Sequence, residues 1–286
     1  MTMQSLQTSE EWKLTNGQFQ RICNLVYEHC GINLHEGKKE LVRSRLSKML
    51  RKYKLGSFDD YIKMVLEDAT HSAFSEMIDL ISTNLTSFFR EPKHFEYLMQ
   101  IFLPSLIQKK KSDGRCRIRA WSAGCSSGEE PYSMAITLLE AARDQGVLDI
   151  RILASDISTR ILQRAQAGFY ESDRVANMPQ VLKSRYLKMN KEKNGRIFYE
   201  AGPALRNIIA FRYLNLMEPW PFRGPFDFIF CRNVMIYFDK ATQQRLVNRF
   251  WDLLDCGGLF FTGHSESLTG IQHRFAYIQP TIYRKP

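Results

Sequence analysis

The hydrophobic period of the chain changes near residue 115, and this change constrains the fold more than any other feature. Between Asn16 and Ser82 apolar residues recur three or four positions apart, as in FQRICNLVYEHC and AFSEMIDLIST, which predicts helices throughout. From residue 115 onward short apolar runs such as RIRAWSA, RILASDI and FDFIFC alternate with helical segments. That alternation predicts right-handed βαβ units and a doubly wound parallel sheet covered by helices on both faces.

The same patterns suggest where the domains begin and end. We expect a flexible N-terminus over residues 1–15, a small all-α domain over 16–82, a linker and connecting helix over 83–114, and an α/β domain over 115–286. Between Tyr170 and Arg206 the strand–helix alternation lapses into a polar segment, and Asn194-Gly195 within it is a hairpin signal. We therefore predict a small antiparallel β insertion at about 170–206.

A loop with two glycines follows the first predicted strand, in the stretch WSAGCSSGEEPYSMA (121–135). Ligands of open parallel sheets bind at the carboxyl ends of the strands, and Gly124 and Gly128 would let the backbone approach a ligand closely. The spacing matches neither G-x-G-x-x-G nor the P-loop, and no lysine follows to hold a phosphate. A pyrophosphate ligand is therefore weakly supported, and the loop alone is equally consistent with a tight strand-to-helix turn.

An acid, Asp156, ends the second predicted strand about thirty residues after the loop. Doubly wound folds place an acid there on ribose hydroxyls. The alternative is that Asp156 caps the following helix, a role for which Ser158 competes. A nucleoside without phosphates suggests S-adenosylmethionine, whose ammonium group could pair with Glu129 or Glu130, although Glu130 could equally be a solvated acid in the first turn of the helix.

The net charge of +10 is concentrated in one predicted helix. Eight lysines and arginines fall between Lys38 and Lys54, where Glu40 is the only acid. The apolar residues of this helix share one face, and they are Val42, Leu46, Met49, Leu50 and Tyr53. Most of the bases therefore lie on the remaining surface, which indicates an anionic partner: nucleic acid, an anionic membrane or an acidic protein surface.

Two classes of protein are disfavoured by the composition. No apolar run approaches the roughly 18 residues of a membrane-spanning helix, and the first residues lack the pattern of a signal peptide, so we expect a cytoplasmic protein without membrane insertion. The six cysteines include no C-x-x-C pair and no Cys/His cluster at zinc spacing. We interpret them as free thiols, mostly buried, and expect no metal site.

Five segments together resemble the chemotaxis receptor methyltransferases, the CheR family: STNLTSFFRE (82–91), WSAGCSSGEEPYSMA (121–135), ASDIS (154–158), FDFIFCRNVMIYFD (226–239) and GGLFFTGHSESL (257–268). The resemblance spans nearly the whole chain. It implies a Rossmann-like methyltransferase domain that uses S-adenosylmethionine to methylate glutamate side chains of methyl-accepting chemotaxis proteins, with S-adenosylhomocysteine as product. A nucleic-acid methyltransferase and a non-catalytic scaffold that binds the cofactor or the receptor remain the alternatives.

The resemblance also implies the residues of the cofactor site. Carried over by motif position, they are Asn84, Thr86, Arg90, Glu130, Asp156, Asn215, Leu216, Arg232 and Asn233. Arg90 would suit the carboxylate of the cofactor, and Asn215 and Leu216 would line its adenine. A glutamate is already ionised at pH 7, so no general base is required. Our candidates for the reacting centre are therefore Arg90 and Tyr237, the latter orienting the nucleophile or contacting the methyl group.

For the basic helix, the resemblance implies docking on the acidic helical bundle of the receptor's cytoplasmic domain. The candidate contact residues are Arg43, Arg45, Lys48, Arg51 and Lys52. The Asn/Asp-Pro-Pro-aromatic motif usual in amino methyltransferases of nucleic acids is replaced here by CRNVMIYF, so no nucleic acid is expected. We expect a monomer that is recruited to receptor arrays. Family members differ in whether the inserted β segment also tethers a receptor tail.

Overall fold

The computed structural model describes residues 12–114, 117–146, 149–192 and 195–286. Most of the expected flexible N-terminus, together with Cys116 and Asn194, lies outside these residues. The chain divides after Thr83 into two compact units, which are described separately. No helix among the described residues is long and apolar enough to cross a membrane.

The described part of the first unit, residues 12–83, is helical, as its hydrophobic period predicts. In this range a 3-10 turn, Glu36–Lys38, precedes the second of four helices: α1 (Asn16–Cys30), α2 (Lys39–Tyr53), α3 (Phe58–Glu67) and α4 (Ser72–Ile81). Local sequence signals set the helix ends. Thr15 and Gln18 form a reciprocal capping box at the start of α1, Gly31 ends it with φ 69°, and Ser57 caps α3.

The basic helix α2 packs as its sequence pattern predicts. Val42, Leu46, Met49 and Leu50 are buried, and Tyr53 is half-buried. The apolar stripe covers one side of the helix, and this leaves charged side chains around the rest of it.

The second unit begins at Asn84, earlier than the predicted α/β domain. Its first helices are α5 (Pro92–Tyr97) and α6 (Leu103–Ser112), joined by a π-helical turn over Leu98–Phe102. Phe88, Phe95 and Leu98 share one hydrophobic core with the sheet residues Phe228 and Phe230. The segment expected to be a linker and connecting helix is therefore packed into the core of this unit.

Strands and helices alternate through the rest of the second unit. In chain order they are β1 (Arg117–Ala123), α7 (Glu129–Ala142), β2 (Asp149–Asp156), α8 (Thr159–Ala167), β3 (Phe169–Glu171), α9 (Gln180–Tyr186), β4 (Leu187–Lys191), β5 (Ile197–Ala201), α10 (Pro203–Arg206), β6 (Ile209–Tyr213), β7 (Phe226–Cys231), α11 (Lys240–Leu253), β8 (Leu254–Thr262), β9 (Ala276–Gln279) and β10 (Ile282–Arg284). The expected fold class, an all-α domain followed by a Rossmann-like α/β domain with a small antiparallel insertion, is confirmed.

The main sheet has seven strands in the order β6-β2-β1-β7-β8-β10-β9. The first five are parallel, but β10 pairs antiparallel with both β8 and β9. The expected parallel sheet is therefore extended at one edge by two antiparallel strands, β10 and β9. The two missed strands are only four and three residues long, too short for a periodic signal, and β10 is placed by its pairing with β8.

The polar segment between Tyr170 and Arg206 contains a separate three-stranded antiparallel sheet, in the order β3-β5-β4. Strands β4 and β5 pair from Leu187↔Ala201 to Lys191↔Ile197. Their connection includes Asn194, which lies outside the described residues, so the predicted Asn-Gly turn is not described.

The described cysteines are free thiols, as expected. Cys23, Cys30, Cys125 and Cys231 are buried, and Cys256 is exposed. Burial raises the pKa of the Cys125 and Cys231 thiols well above the usual value. These two residues therefore behave as small apolar side chains in the core.

Candidate functional site

The order of the strands in the main sheet indicates where a ligand would bind. Strands β1 and β7 are neighbours, yet the chain proceeds from β1 outward through β2 to β6 on one side, and from β7 to β8 on the other. This reversal is a topological switch point, where a crevice opens beyond the carboxyl ends of the strands. The loop of Gly124–Gly128 follows β1, and the segment from Arg232 to Tyr237 follows β7, so both lie at this edge.

The backbone N–H groups of the loop after β1 are largely engaged by the protein. The N–H groups of Gly124 and Cys125 donate to Ser155 O at 2.8 and 2.9 Å, that of Ser126 to Asp156 Oδ2 at 2.8 Å, and that of Gly128 to Cys125 O at 3.1 Å. A pyrophosphate cradle needs such groups free to point at the ligand. Because these N–H groups are bonded within the protein, the loop is poorly suited to a dinucleotide. This agrees with the sequence, in which no lysine follows the loop to hold a phosphate.

The two glycines of the loop are required by neighbouring protein atoms. Gly124 has φ +84°, and a Cβ there would lie 2.3 Å from Val234 Cγ2. Gly128 has φ +96°, and a Cβ there would lie 2.7 Å from the Tyr170 hydroxyl oxygen. Close packing of the loop within the protein therefore gives a physical reason for both glycines.

Asp156 ends β2 with a nearly buried carboxylate. Its Oδ2 accepts the N–H of Ser126, and its Oδ1 accepts the N–H of Ser158 at 2.9 Å. Ser158, not Asp156, caps α8, because its hydroxyl accepts the N–H of Ile161. A carboxylate can accept about four hydrogen bonds, so holding the loop and accepting ribose hydroxyls are compatible.

Ser126 joins Asp156 to the segment that precedes α5. Its N–H binds the Asp156 carboxylate, and its hydroxyl donates to Asn84 O at 3.0 Å. Thr86, in the same segment, is half-buried. On the other side of Asp156, the N–H of Leu214 donates to Asp156 O at 3.0 Å, which places the end of β6 beside the end of β2.

Asn215 and Leu216 lie two and three residues after the end of β6, and both are buried. Asn215 Oδ1 accepts the N–H of Met217 at 3.0 Å, and Leu216 O accepts from the Arg249 guanidinium at 2.6 Å. These bonds fix the turn that carries both residues. The structure thus brings Asn84, Asp156 and the 215–216 pair to one region at the edge of the sheet.

The two adjacent acids at the start of α7 have different surroundings. Glu129 is fully buried; one carboxylate oxygen accepts from the Ser127 hydroxyl at 2.6 Å, and the other pairs with Arg174. Glu130 is slightly exposed and accepts from the Ser122 hydroxyl at 2.7 Å. The sequence left open whether Glu129 or Glu130 would pair with a ligand's ammonium group. Because Glu129 is fully buried and paired with Arg174, Glu130 is the better candidate.

The pKa of the Glu130 carboxyl is raised, chiefly by burial, although Arg232 and the Ser122 hydroxyl oppose the shift. A cationic ligand group beside it would favour the ionised form further.

Arg232, directly after β7, is the centre of a buried ion-pair network. Its guanidinium lies 3.1 Å from Glu91 Oε2 and 3.4 Å from Glu130 Oε2, and it also donates to Arg90 O. The rings of Phe95 and Phe230 lie 5.7 and 5.3 Å from its Cζ atom. Burial raises the pKa of Glu91, but Arg232 and the N–H of His264 outweigh it and bring that pKa below the ordinary value.

Arg90 lies between two residues with left-handed backbone, Phe89 with φ 52° and Glu91 with φ 58°. Such conformations are costly for non-glycine residues, and they persist here because Phe89 N–H is held by the Ser133 hydroxyl and Glu91 by Arg232. The Arg90 guanidinium donates to Leu85 O at 2.8 Å and lies near enough to Glu130 to lower its pKa. Within the described part of the chain Arg90 forms no ion pair.

A buried acid, Glu266, holds the loop after β7. Its Oε2 accepts the N–H groups of Asn233 and Gly263 at 2.7 and 2.6 Å, and its Oε1 accepts that of Ile236 at 3.1 Å. Asn233 has left-handed backbone with φ 59°. Tyr237 ends the 3-10 turn Met235–Tyr237 and is partly exposed, so its position depends on a loop that Glu266 holds in place.

The candidate contact residues of α2 fall into two groups. Arg43 pairs with Glu40 at 2.8 Å, Lys52 pairs with Glu76 at 2.7 Å, and Arg45 donates to Ile81 O and Ser82 O at the end of α4. Lys48 and Arg51 are exposed and form no ion pair among the described residues. Arg51 lies over the Trp12 ring at 5.8 Å.

Three residues of the site carried no prediction: Glu91, Ser126 and Glu266. All three lie inside segments that carry the family resemblance, in FFRE, GCSSGEE and HSESL, so the sequence indicated these segments but not the three residues. Their roles depend on contacts that no local pattern contains: Glu91 pairs with Arg232, 141 positions away, Ser126 binds Asp156, 30 positions away, and Glu266 binds Asn233, 33 positions away.

The chemistry of these groups fits S-adenosylmethionine. Asp156 could accept ribose hydroxyls, Glu130 could pair with the ammonium, and Arg90 could hold the carboxylate of the amino-acid end. The loop offers little for phosphates, which the cofactor lacks. All the residues assigned here to the cofactor belong to the second unit.

Comparison with known proteins agrees with this geometry. A family model described as "CheR methyltransferase, SAM binding domain" matches residues 84–284, and one described as "CheR methyltransferase, all-alpha domain" matches residues 17–82. The chain is 41% identical to the chemotaxis protein methyltransferase of Borreliella burgdorferi, over 95% of each chain. It is 41% identical to chemotaxis protein methyltransferase 2 of Pseudomonas aeruginosa, over 96% of this chain and 95% of that one. The Escherichia coli chemotaxis protein methyltransferase is 38% identical, over 97% and 94%. The chain therefore belongs to the CheR methyltransferase family, and its second unit is a methyltransferase domain that uses S-adenosylmethionine.

Proposed function

We propose that this protein transfers a methyl group from S-adenosylmethionine to glutamate side chains on the cytoplasmic domain of chemotaxis receptors, forming glutamate methyl esters. Family membership supports methyl transfer in chemotaxis. The observation that carries the choice of a carboxylate acceptor is Arg90, which sits beside Glu130 and forms no ion pair within the described residues. A guanidinium so placed can hold a carboxylate, whether that of the cofactor or that of the incoming glutamate.

The bound cofactor supplies an electrophilic methyl group on a sulfonium. The protein then has to align the reacting atoms and exclude water from two opposite charges, and alignment alone is worth roughly 7–11 kcal/mol. The glutamate, with a reference pKa near 4.3, arrives ionised, so no side chain has to remove a proton. Fixed groups such as the Arg232 network and the loop held by Glu266 suit this task, because they hold the site without reorganisation.

The proposal is tested by incubating the protein with radiolabelled S-adenosylmethionine and receptor-containing membranes. We expect label on the receptor that base releases as methanol, as a methyl ester does. Label on added RNA or DNA would support a nucleic-acid methyltransferase, and no transfer at all, with the cofactor still bound, would support a scaffold. Either result contradicts the proposal.

Replacing Tyr237 with phenylalanine is expected to lower kcat roughly ten- to hundredfold, the order of effect that misplacing a reacting group has. The dissociation constant of S-adenosylmethionine should stay within about twofold, because the ring still packs on the loop held by Glu266. Initial rates with receptor membranes and calorimetric cofactor titration measure the two quantities. The matched control is Tyr277→Phe, an exposed tyrosine of β9, and an equal loss in both variants would remove Tyr237 from the reacting centre.

The exposed bases of α2 are proposed to dock on the receptor. Exposed ion pairs contribute about 0.2–1 kcal/mol each, so the Lys48→Gln, Arg51→Gln double variant should weaken receptor affinity roughly two- to thirtyfold and leave cofactor affinity unchanged. Receptor affinity is measured by co-sedimentation with receptor membranes at low and high salt. Arg45 is a poor choice for this test, since it holds the end of α4.

Lys63→Gln supplies the control for this experiment, because Lys63 is an exposed base of the same unit on α3. An equal loss of receptor affinity in that variant would mean that general charge, and not the face of α2, attracts the receptor.

A further inference from the structure

Three side chains of the second unit converge beside the methyltransferase site, and methyl transfer does not explain their arrangement. Glu91 Oε2 lies 3.6 Å from His94 Nδ1 and 3.9 Å from His264 Nε2, and one potential ligand atom from each residue lies within 4.8 Å of the others. Glu91 stands at the N-cap of α5, and His94 follows three residues later in its first turn. His264 reaches them from the segment after β8.

The hydrogen bonds around His94 determine which ring nitrogen carries the proton. The Thr281 hydroxyl lies 2.5 Å from Pro280 O, and because a carbonyl can only accept, the hydroxyl proton lies between these oxygens. The hydroxyl therefore accepts the hydrogen bond from His94 Nε2 at 2.6 Å. In this assignment His94 Nδ1, which lies 3.6 Å from Glu91 Oε2, is the unprotonated nitrogen.

That lone pair is buried without a partner. His94 is 1% exposed, and its Nδ1 makes no hydrogen bond to any described residue. Leaving a buried polar atom unsatisfied costs about 1–3 kcal/mol. Burial, reinforced by the charge of Arg232, lowers the pKa of His94 to about 3, so the ring is neutral at pH 7. Protonation therefore does not satisfy this nitrogen under physiological conditions.

We propose that Glu91, His94 and His264 form a binding site for one divalent transition-metal ion of the zinc type. Two neutral imidazoles and one carboxylate are a recurrent zinc ligand set that leaves a fourth position open. Arg232 keeps Glu91 ionised, as a ligand must be, and with Arg90 beside Glu130 the charges of the two acids and the two arginines sum to zero. Thr281 acts as the outer partner that fixes the His94 tautomer.

The geometry requires only a small movement. Ligand atoms about 2.0–2.1 Å from a tetrahedral ion lie roughly 3.3–3.4 Å apart. The Glu91–His94 distance of 3.6 Å is already close, and the His264 side chain, 3.9 Å from Glu91 and 57% exposed, gives the ion a route from solvent. The sequence showed no zinc pattern because the third ligand lies 170 positions after the second.

Equilibrium dialysis of the metal-free, full-length protein against zinc chloride tests the site. We expect one saturable zinc per chain. Loss of a residue that merely orients a ligand weakens metal binding about 10–100-fold, so His264→Gln, which removes a ligand, should raise the zinc dissociation constant at least about tenfold. His264 is exposed, and its exchange should leave folding intact. Equal zinc affinity in His264→Gln and the unchanged protein, or no saturable zinc binding by the latter, would overturn the proposal.

Two control variants separate this site from other zinc ligands of the chain. His35→Gln removes an exposed histidine of the first unit and should retain full affinity. Cys256→Ser removes the exposed thiol and should also retain it. Zinc binding that is lost with Cys256→Ser and kept with His264→Gln would assign the ion to the thiol and contradict the proposed site.

Discussion

Replacing Arg232 with methionine is expected to lower the free energy of unfolding of the second unit by about 3–5 kcal/mol, which is a large part of the stability of an ordinary domain. Methionine keeps much of the length of the side chain but removes the charge. The carboxylates of Glu91 and Glu130 then remain in a buried position without their shared cation. Urea unfolding measures the change, and Trp121, Trp220 and Trp251 in this unit provide the fluorescence signal.

The effect of Arg232→Met should depend on pH in a defined direction. In the unchanged protein the pKa of Glu91 is lowered, so its contribution to stability is present above the ordinary glutamate pKa of about 4.3 and is lost as the pH falls through the lowered folded-state value. Without Arg232, burial raises that pKa, and protonation relieves the cost in acid. The stability difference between the two proteins should therefore narrow as the pH falls from about 7 toward about 4.3.

Arg274→Met is the matched control, since Arg274 pairs with Asp252 at 3.0 Å while both side chains are largely exposed. Exposed pairs contribute about 1 kcal/mol or less. A loss for Arg232→Met as small as that for Arg274→Met would show that the buried network does not stabilise the site.

Replacing Glu130 with glutamine is expected to weaken binding of S-adenosylmethionine about 10- to 150-fold, because a hydrogen bond to a charged group contributes about 1.5–3 kcal/mol. Glutamine preserves the shape and can still accept from the Ser122 hydroxyl, so the change is mainly one of charge. Calorimetric titration with S-adenosylmethionine and with S-adenosylhomocysteine distinguishes two explanations. The two molecules share the ammonium group, and only the first carries the sulfonium charge.

If Glu130 holds the ammonium, both molecules should lose affinity by similar factors. A loss confined to S-adenosylmethionine would instead place Glu130 near the sulfonium and contradict the assignment. The neighbouring variant Glu129→Gln is the control: it breaks the buried pair with Arg174 and should lower the melting temperature, yet it should change cofactor affinity less than about threefold.

Much of the fold was predictable because its signals are local. The helical period, Gly31, and the cap residues Thr15 and Ser57 specify the first unit, and the alternating runs specify the α/β unit. The strands β9 and β10 escaped prediction because they are only four and three residues long, and β10 is placed by its pairing with β8. The segment 84–114 likewise looked like a linker, since only packing against Phe228 and Phe230 reveals it as core.

By itself the sequence determined the fold class, the family resemblance and the edge of the sheet where the candidate residues gather, because strand ends and motifs are local properties. The family resemblance named Glu130, and the tertiary structure added a physical contrast with Glu129, since the burial of Glu129 beside Arg174 is a long-range contact. Only the tertiary structure decided that the loop N–H groups are occupied by Ser155 and Asp156. It also brought His264 to Glu91 and His94, across more than half the chain. The sequence specifies which residues carry a charge or can form hydrogen bonds. Which of these groups find a partner depends on the residues that the folded chain places beside them.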